Sequence, residues 1–403
     1  MKKFAPIRLQ RLVLIFCLLV CTGMQAQRCI KKSNKLIAQK KYRSAWVILD
    51  KADPKNENVS ISLAKSDLLL KYFINTVMHQ VFTLKDLGPT ENVKDLRGKN
   101  ENGNLIHFDP EEVLDSLLKK HPTDYRLYQG LGNYYYQVFV LFQEKWLKKP
   151  EDLVKDIEDD YTMACTHGLK TDTAEYRIGF ARMFLQRLKE STESFLECIK
   201  LNPSYADSWY SLSYCYLQLG QADSALAKAN QAYDLYKKTD TLNRSDVNLL
   251  RGLIYSSKKD TAATLVEYRK AAKLNPGNQS IYVLLLKAEL KYNDKELKTV
   301  AATYFDMDPK GADTYSELIN DYFEYNKSKE VLELLSDKLV QYASNPEVSG
   351  DILFYRAYIY VVMEDKDNAK KDLIEARQDL KKIFPSEHEM FGTIEEALKE
   401  LDK

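Results

Sequence analysis

The side chains able to do chemistry are scattered along the chain. Five histidines (His79, His107, His121, His167 and His388) share no His-Glu-x-x-His or His-x-x-His spacing, whereas a zinc centre needs three or four converging ligands. Glu387-His388-Glu389 is the densest group, and its place before an apolar-periodic run fits a solvated helix start. Asp306, Asp308, Gly311 and Glu317 fall at the first, third, sixth and twelfth positions of a calcium loop. Pro309 and Lys310 occupy the fourth and fifth positions, however, which puts a cation where an oxygen ligand belongs. No phosphate-binding glycine loop, dinucleotide fingerprint or nucleophile elbow occurs. Gly98-Lys99 lies in a polar stretch without the strand-to-helix context of a phosphate cradle. The expectation is therefore no catalytic residue, no metal and no cofactor.

The chain is 403 residues long, 45% apolar and 29% charged, with few Gly and Pro, a composition that suits a mostly helical protein. Residues 1–26 carry Lys2, Lys3, Arg8 and Arg11 and no acid. The formal net charge of +1 therefore leaves −3 on the rest, which gives no electrostatic footprint for nucleic acid. The apolar run Leu12–Val20 is too short to span a bilayer and follows a basic start, so residues 1–26 read as a signal peptide. Cleavage fits after Ala26 or after Gly23. An alternative makes Cys21 a lipid anchor, although Val20 stands where that motif wants a small residue. Export to the periplasm or beyond, with association to the outer membrane under the lipid reading and no membrane span after processing, is the expectation. Cys29, Cys165, Cys198 and Cys215 then remain; they have no metal spacing and read as packing thiols, with a disulfide permitted but not indicated.

Helical periodicity fills most of the chain and repeats every 34 residues. Residues 206–239 contain Trp209-x2-Leu212-Ser213-x2-Tyr216, then Leu219-Gly220, Ala225 and Ala232. Residues 172–205 place Gly179, Ser191, Phe195, Cys198 and Pro203 in the same register. Further copies run over 125–171, 245–278 and 350–383, and Lys200-Leu-Asn-Pro203 recurs as Lys273-Leu-Asn-Pro276. Gly or Ala at the eighth, twentieth and twenty-seventh places lets two helices approach, while large residues at the fourth, eleventh and twenty-fourth fill the gaps.

These repeats resemble the tetratricopeptide repeat (TPR) family. The resemblance implies an all-α fold, a right-handed α-solenoid of helix-turn-helix units that binds proteins or peptides. Helices of the same kind are expected over 27–73. A polar insertion with turn chemistry covers 74–110, the array proper occupies 111–383, and 384–403 forms a capping helix begun by a Ser386/Glu389 capping box. Residues 137–149, rich in apolar and aromatic side chains, read as one unusually long helix.

In the family the concave groove is lined by positions two, five, nine, twelve and thirteen of each first helix. Here these supply Tyr176, Phe180, Met183 and Phe184, then Tyr210, Tyr214 and Leu217, with Phe354 and Tyr358 at equivalent places near the C-terminus. Family members that clamp acidic C-terminal peptides use Lys at position five and Asn at nine of their first repeat. Asn133 matches but Gln129 is uncharged, which argues for an apolar or aromatic ligand segment. The expected function is an exported, non-enzymatic scaffold that binds a protein through this aromatic groove. The alternative is a structural component of envelope assembly, contacting partners by its convex face and the 84–109 loop, with the groove filled by the chain itself.

Overall fold

The computed structural model describes residues 24–99, 104–142, 145–292 and 295–403. The basic start, the apolar run, Cys21 and Gly23 lie outside the described residues. The chain divides into two compact units, one through Leu219 and the other Gly220–Lys403.

The first unit is built from helical hairpins. Its helices are α1 (24–38), α2 (Tyr42–Ala52), α3 (Val59–Tyr72), α4 (Val93–Leu96), α5 (Pro110–Lys120), α6 (Arg126–Phe142), α7 (Pro150–Thr166), α8 (Asp172–Phe184), α9 (Leu188–Leu201) and α10 (Ala206–Gln218). Local chemistry sets the starts: Asn58, Asp109 and Thr171 each accept a backbone N–H from the first turn of α3, α5 and α8, satisfying donors that a helix start leaves open. Small residues set the helix spacing. A Cβ on Gly179 would stand 2.7 Å from the Phe195 ring, and one on Gly132 would stand 2.8 Å from Tyr161. The seam is also hydrogen-bonded, since the Ser191 hydroxyl donates to the Gly179 carbonyl at 2.7 Å.

Between α3 and α5 the polar insertion has its own order. Strands β1 (Asn75–Val77), β2 (Val81–Thr83) and β3 (Leu105–His107) form an antiparallel sheet in the order β1-β2-β3, with α4 inserted before β3. Phe82, Leu84, Leu87, Val93 and Phe108 are buried with Trp46, Leu49, Leu68 and Leu69 of α2 and α3. The insertion thus completes a core that two helical hairpins leave open.

Residues 137–149 are not one helix. α6 is described through Phe142, and Lys149, preceding a proline, is driven to extended backbone (ψ 150°), so that α7 starts anew at Pro150. Phe142 and Trp146 turn instead onto His79, with ring centroids at 4.9 and 6.5 Å.

The second unit contains α11 (Ala222–Leu235), α12 (Thr241–Ser257), α13 (Thr261–Leu274), α14 (Gln279–Tyr292), α15 (Leu297–Met307), α16 (Ala312–Glu324), α17 (Ser328–Gln341), α18 (Pro346–Val362), α19 (Lys366–Leu380) and α20 (Glu389–Leu401). The residues inserted near 239–243 extend the start of α12. One core runs from α13 to α18, and a smaller one joins α18, α19 and α20. There α20 buries Phe391, Ile394 and Leu401, covering the last hairpin as a capping helix must. Its cap differs from expectation: His388 Nδ1, not Ser386, faces the Met390 N–H at 3.4 Å. The His388 ring is held beside Phe384 (centroids 4.5 Å).

One backbone feature recurs in both units. The fifteenth residue of the repeats starting at 172, 206, 245, 312 and 350 has a left-handed φ: Gln186 (59°), Gly220 (74°), Lys259 (60°), Asn326 (57°) and Glu364 (62°). After the four non-glycine turns the next residue returns its N–H to the end of the helix, as Arg187 does to Arg182 O at 2.9 Å. Glycine occupies only one of these five turns.

Candidate functional site

α8 and α10 carry the seven side chains expected to line the groove, and the structure sorts them. Phe180, Met183, Phe184 and Tyr214 open on one cavity of about 660 Å³, completed by Glu151, Leu185 and Gln186. Phe184 is 39% exposed there. Tyr176 does not line the cavity. Its ring stacks on Tyr205 (5.1 Å) and leans on Phe195 (5.7 Å), its hydroxyl bonds with Ser211, and burial pushes its ionisation far up. Tyr210 and Leu217 are half-buried on α10, outside the lining set.

Two of the lining rings pack on aromatics that the repeat register did not single out. The end of α6 supplies Phe139, whose ring meets Phe180 edge-on at 5.5 Å and Phe184 at 5.0 Å. Tyr136 also meets Phe180 edge-on at 5.5 Å. Phe180 thus packs on two rings of α6, while Phe184 packs on one. The i, i+3 spacing of Tyr136 and Phe139 was the available signal.

A polar cluster lies on the α6 side of these aromatics. The Arg177 guanidinium donates to Asn133 Oδ1 and to the Tyr161 hydroxyl, and sits 4.5 Å from the centre of the Tyr136 ring. Tyr161 also donates to Asn133 Oδ1 at 2.6 Å. The amide oxygen of Asn133 is therefore used inside the fold, so this asparagine differs from one held open for a ligand's carboxylate.

The remaining chemistry-bearing groups fall into separate clusters away from this cavity. Lys148 stands between Glu111 and Asp156, at 3.0 Å from each, and the Tyr135 hydroxyl donates to Glu111 at 2.9 Å. Burial, helped by Asp156, Asp115 and Asp159, raises Asp160 nearby to about 8. Asp306, the first position of the calcium-like pattern, accepts from Lys338 (2.7 Å) and Tyr342 (3.1 Å). Glu317, its twelfth, accepts from Tyr304. His167 stacks on Tyr125 at 3.7 Å, and His107 is exposed. Cys29, Cys165, Cys198 and Cys215 are free thiols. Among the described residues no three His, Cys, Asp or Glu side chains are placed to hold a metal ion, and no helix is long and apolar enough to cross a membrane.

The helical-hairpin register agrees with an independent comparison. Family profiles described as Tetratricopeptide repeat match residues 176–205 and 194–227. The chain carries tetratricopeptide repeats over residues 176–227. Solved structures similar to this TPR protein include a tetratricopeptide repeat protein from Parabacteroides merdae, 16% identical, with a TM-score of 0.39, covering 68% of this chain and 99% of that one. YrrB, described as a TPR protein with an unusual peptide-binding site, is 12% identical with a TM-score of 0.33, covering 54% and 91%. MamA is 19% identical with a TM-score of 0.35, covering 41% and 86%. No curated protein matches the chain. TPR arrays are generally non-catalytic protein-interaction scaffolds, and the matched repeats support the coarse role of a protein-interaction scaffold for this chain.

Proposed function

We propose that this TPR scaffold is exported and holds an apolar or aromatic segment of a protein partner in the cavity between α8 and α10. Phe184 and Tyr214 are the anchors. The supporting observation is that Phe180, Met183, Phe184 and Tyr214 open together on about 660 Å³, within the range that encloses ligand groups. Anchors of this type contribute about 2 kcal/mol or more each when a partner covers them. Phe180 acts by holding the wall, since Tyr136 and Phe139 already pack on it. Tyr176 acts within the packing of α8 on α9. Export rests on the basic start and apolar run of residues 1–26, with Cys21 as lipid anchor the other form of the same reading. N-terminal sequencing of the mature chain separates the two.

The test is a photo-crosslinking residue in place of Gln186, on the cavity rim, in the native host. Crosslinked partners are compared between wild type and Phe184→Ala/Tyr214→Ala, both with unchanged helical circular dichroism. A partner captured by the first and lost in the second supports the groove. Equal capture by both sinks it. A second reading then takes over, supported by the outer strands of the insertion: Val77 on β1 is 62% exposed and Leu105 on β3 is 64% exposed. Contacts made there by an envelope-assembly partner survive the groove double mutant and are lost when Val77 and Leu105 are made polar.

A further inference from the structure

The β1–β2 connection holds a histidine in an unusual setting. Val77 to Gln80 is a tight turn closed by the Gln80 N–H donating to Val77 O at 3.0 Å. Both central residues, Met78 and His79, have φ of 50°, a conformation that favours Gly or Asn and costs other residues about 1 kcal/mol each. Something must compensate for that strain. His79 is fully buried, its ring edge-on to Phe142 (4.9 Å) and Phe73 (5.2 Å) and near Phe82 (5.4 Å) and Trp146 (6.5 Å). The Thr76 hydroxyl meets Nδ1 at 3.2 Å, and Nε2 has no hydrogen-bond partner among the described residues. The turn is thus held left-handed by packing a neutral imidazole against the end of α6.

We propose that this turn is an acid-released latch: neutral His79 pins the insertion to Phe142 and Trp146, and its protonation frees the strained Val77–Gln80 turn. The aromatic setting cannot solvate an imidazolium. Facing the ring from β1 is Thr76, from the end of α3 Phe73, from β2 Phe82, and from the α6–α7 connection Phe142 and Trp146. None of these carries charge. The charged group acting on it among the described residues is Arg97, which follows α4, caps the Phe73 ring at 4.0 Å and is itself a cation. Burial first, and Arg97 second, lower His79 to about 4, so release belongs to acid conditions. Freed, the hairpin would expose Phe82 and uncover Phe142 and Trp146, one turn beyond the Phe139 that braces Phe184. The inference concerns the insertion and stands whether or not the groove is the binding surface.

The experiment uses the full chain, with tryptophan emission followed from pH 7.5 to 3.5 and hydrogen exchange read by peptide. Trp146→Phe assigns the signal against Trp46 and Trp209. Wild type is expected to lose Trp146 emission intensity and protection over residues 74–84 with a midpoint near pH 4, while residues 206–218 stay protected. His79→Gln should abolish that local transition. Arg97→Gln, which leaves His79 in place, should raise its midpoint by about half a pH unit. Three results overturn the latch: no local transition ahead of global unfolding, an unchanged transition in His79→Gln, or an unchanged midpoint in Arg97→Gln.

Discussion

Gly252 and Tyr268 are in direct contact across the α12–α13 hairpin: a Cβ on Gly252 would stand 2.2 Å from ring carbons Cδ1 and Cε1. Tyr268 is buried at the helix interface, so its ring has little room to retreat. Gly252→Ala should therefore destabilise the second unit by up to about 2 kcal/mol. That figure is the net of overpacking, about 1–3 kcal/mol, and the roughly 1 kcal/mol that alanine returns in a helix. Gly277→Ala, with nothing within 4 Å of its Cβ, should stay near wild type. Urea unfolding of the two variants decides it.

The left-handed turn at the fifteenth position predicts a gain. Lys259→Gly and Glu364→Gly each relieve a strained φ and should stabilise by about 0.5 kcal/mol after the extra freedom of the unfolded chain is counted. Gly220→Ala should cost about 1 kcal/mol. Shifts in denaturant midpoint at constant slope would bear this out; a loss of stability in both glycine variants would refute it.

Phe180 and Phe184 are four residues apart on α8 and should behave differently. Phe180→Ala removes a ring packed on both Tyr136 and Phe139 and should lower stability by about 2 kcal/mol. Phe184→Ala removes a ring already 39% exposed and should cost about 1 kcal/mol or less. Thermal unfolding of the two single variants reads the contrast. If they cost the same, Phe184 is part of the core and not an anchor.

Lys65 is a lysine with no solvent exposure. Its ammonium donates to Asp50 (2.8 Å), the Asp53 carbonyl (2.7 Å) and Asn56 (2.8 Å). Lys65→Met keeps the stem but strands the carbonyl and amide acceptors, at a cost of about 2 kcal/mol. Trp46 lies 5.3 Å from the ammonium, so its fluorescence should follow the first unit's earlier unfolding in urea.

Asp160 gives the pH dependence a sign. Its pKa is raised from 3.8 to about 8 by burial and by Asp156, Asp115 and Asp159, so the folded state binds this proton more tightly than the unfolded chain. The stability linked to it is complete below about pH 4 and is lost as pH rises through 8. Asp160→Asn should then flatten the decline over this range and stabilise at pH 8.5 by about 1–3 kcal/mol. His79, lowered from 6.5 to about 4, acts in the opposite sense, withdrawing stability as pH falls through that window.

Much of this fold is written locally. The 34-residue period, the small residues at the eighth place and the large ones at the twenty-fourth dictate helical hairpins. Gly179 against Phe195 and Gly252 against Tyr268 realise that rule atom by atom. Helix starts at Asn58, Asp109 and Thr171 obey the same local chemistry. These features depend on neighbours within one or two turns, or one period, of each other, which periodicity can read.

The candidate site was legible only as a set of residues on two helices. Which of them face a cavity depended on the end of α6, where Phe139 reaches Phe180 and Phe184, and on Tyr205, which stacks on Tyr176. Such contacts join side chains separated by tens of residues and carry no periodic signature. The insertion went the same way. Its polar, glycine-bearing sequence shows turns, but its buried face is spread singly over Phe82, Leu84, Leu87, Val93 and Phe108, and only packing on α2 and α3 makes it a core. The scaffold can be read along the chain, because repeats bury the same face again and again. The tertiary structure decided which aromatics are wall, which are opening and where His79 lies, because each is set by one long-range contact made only once.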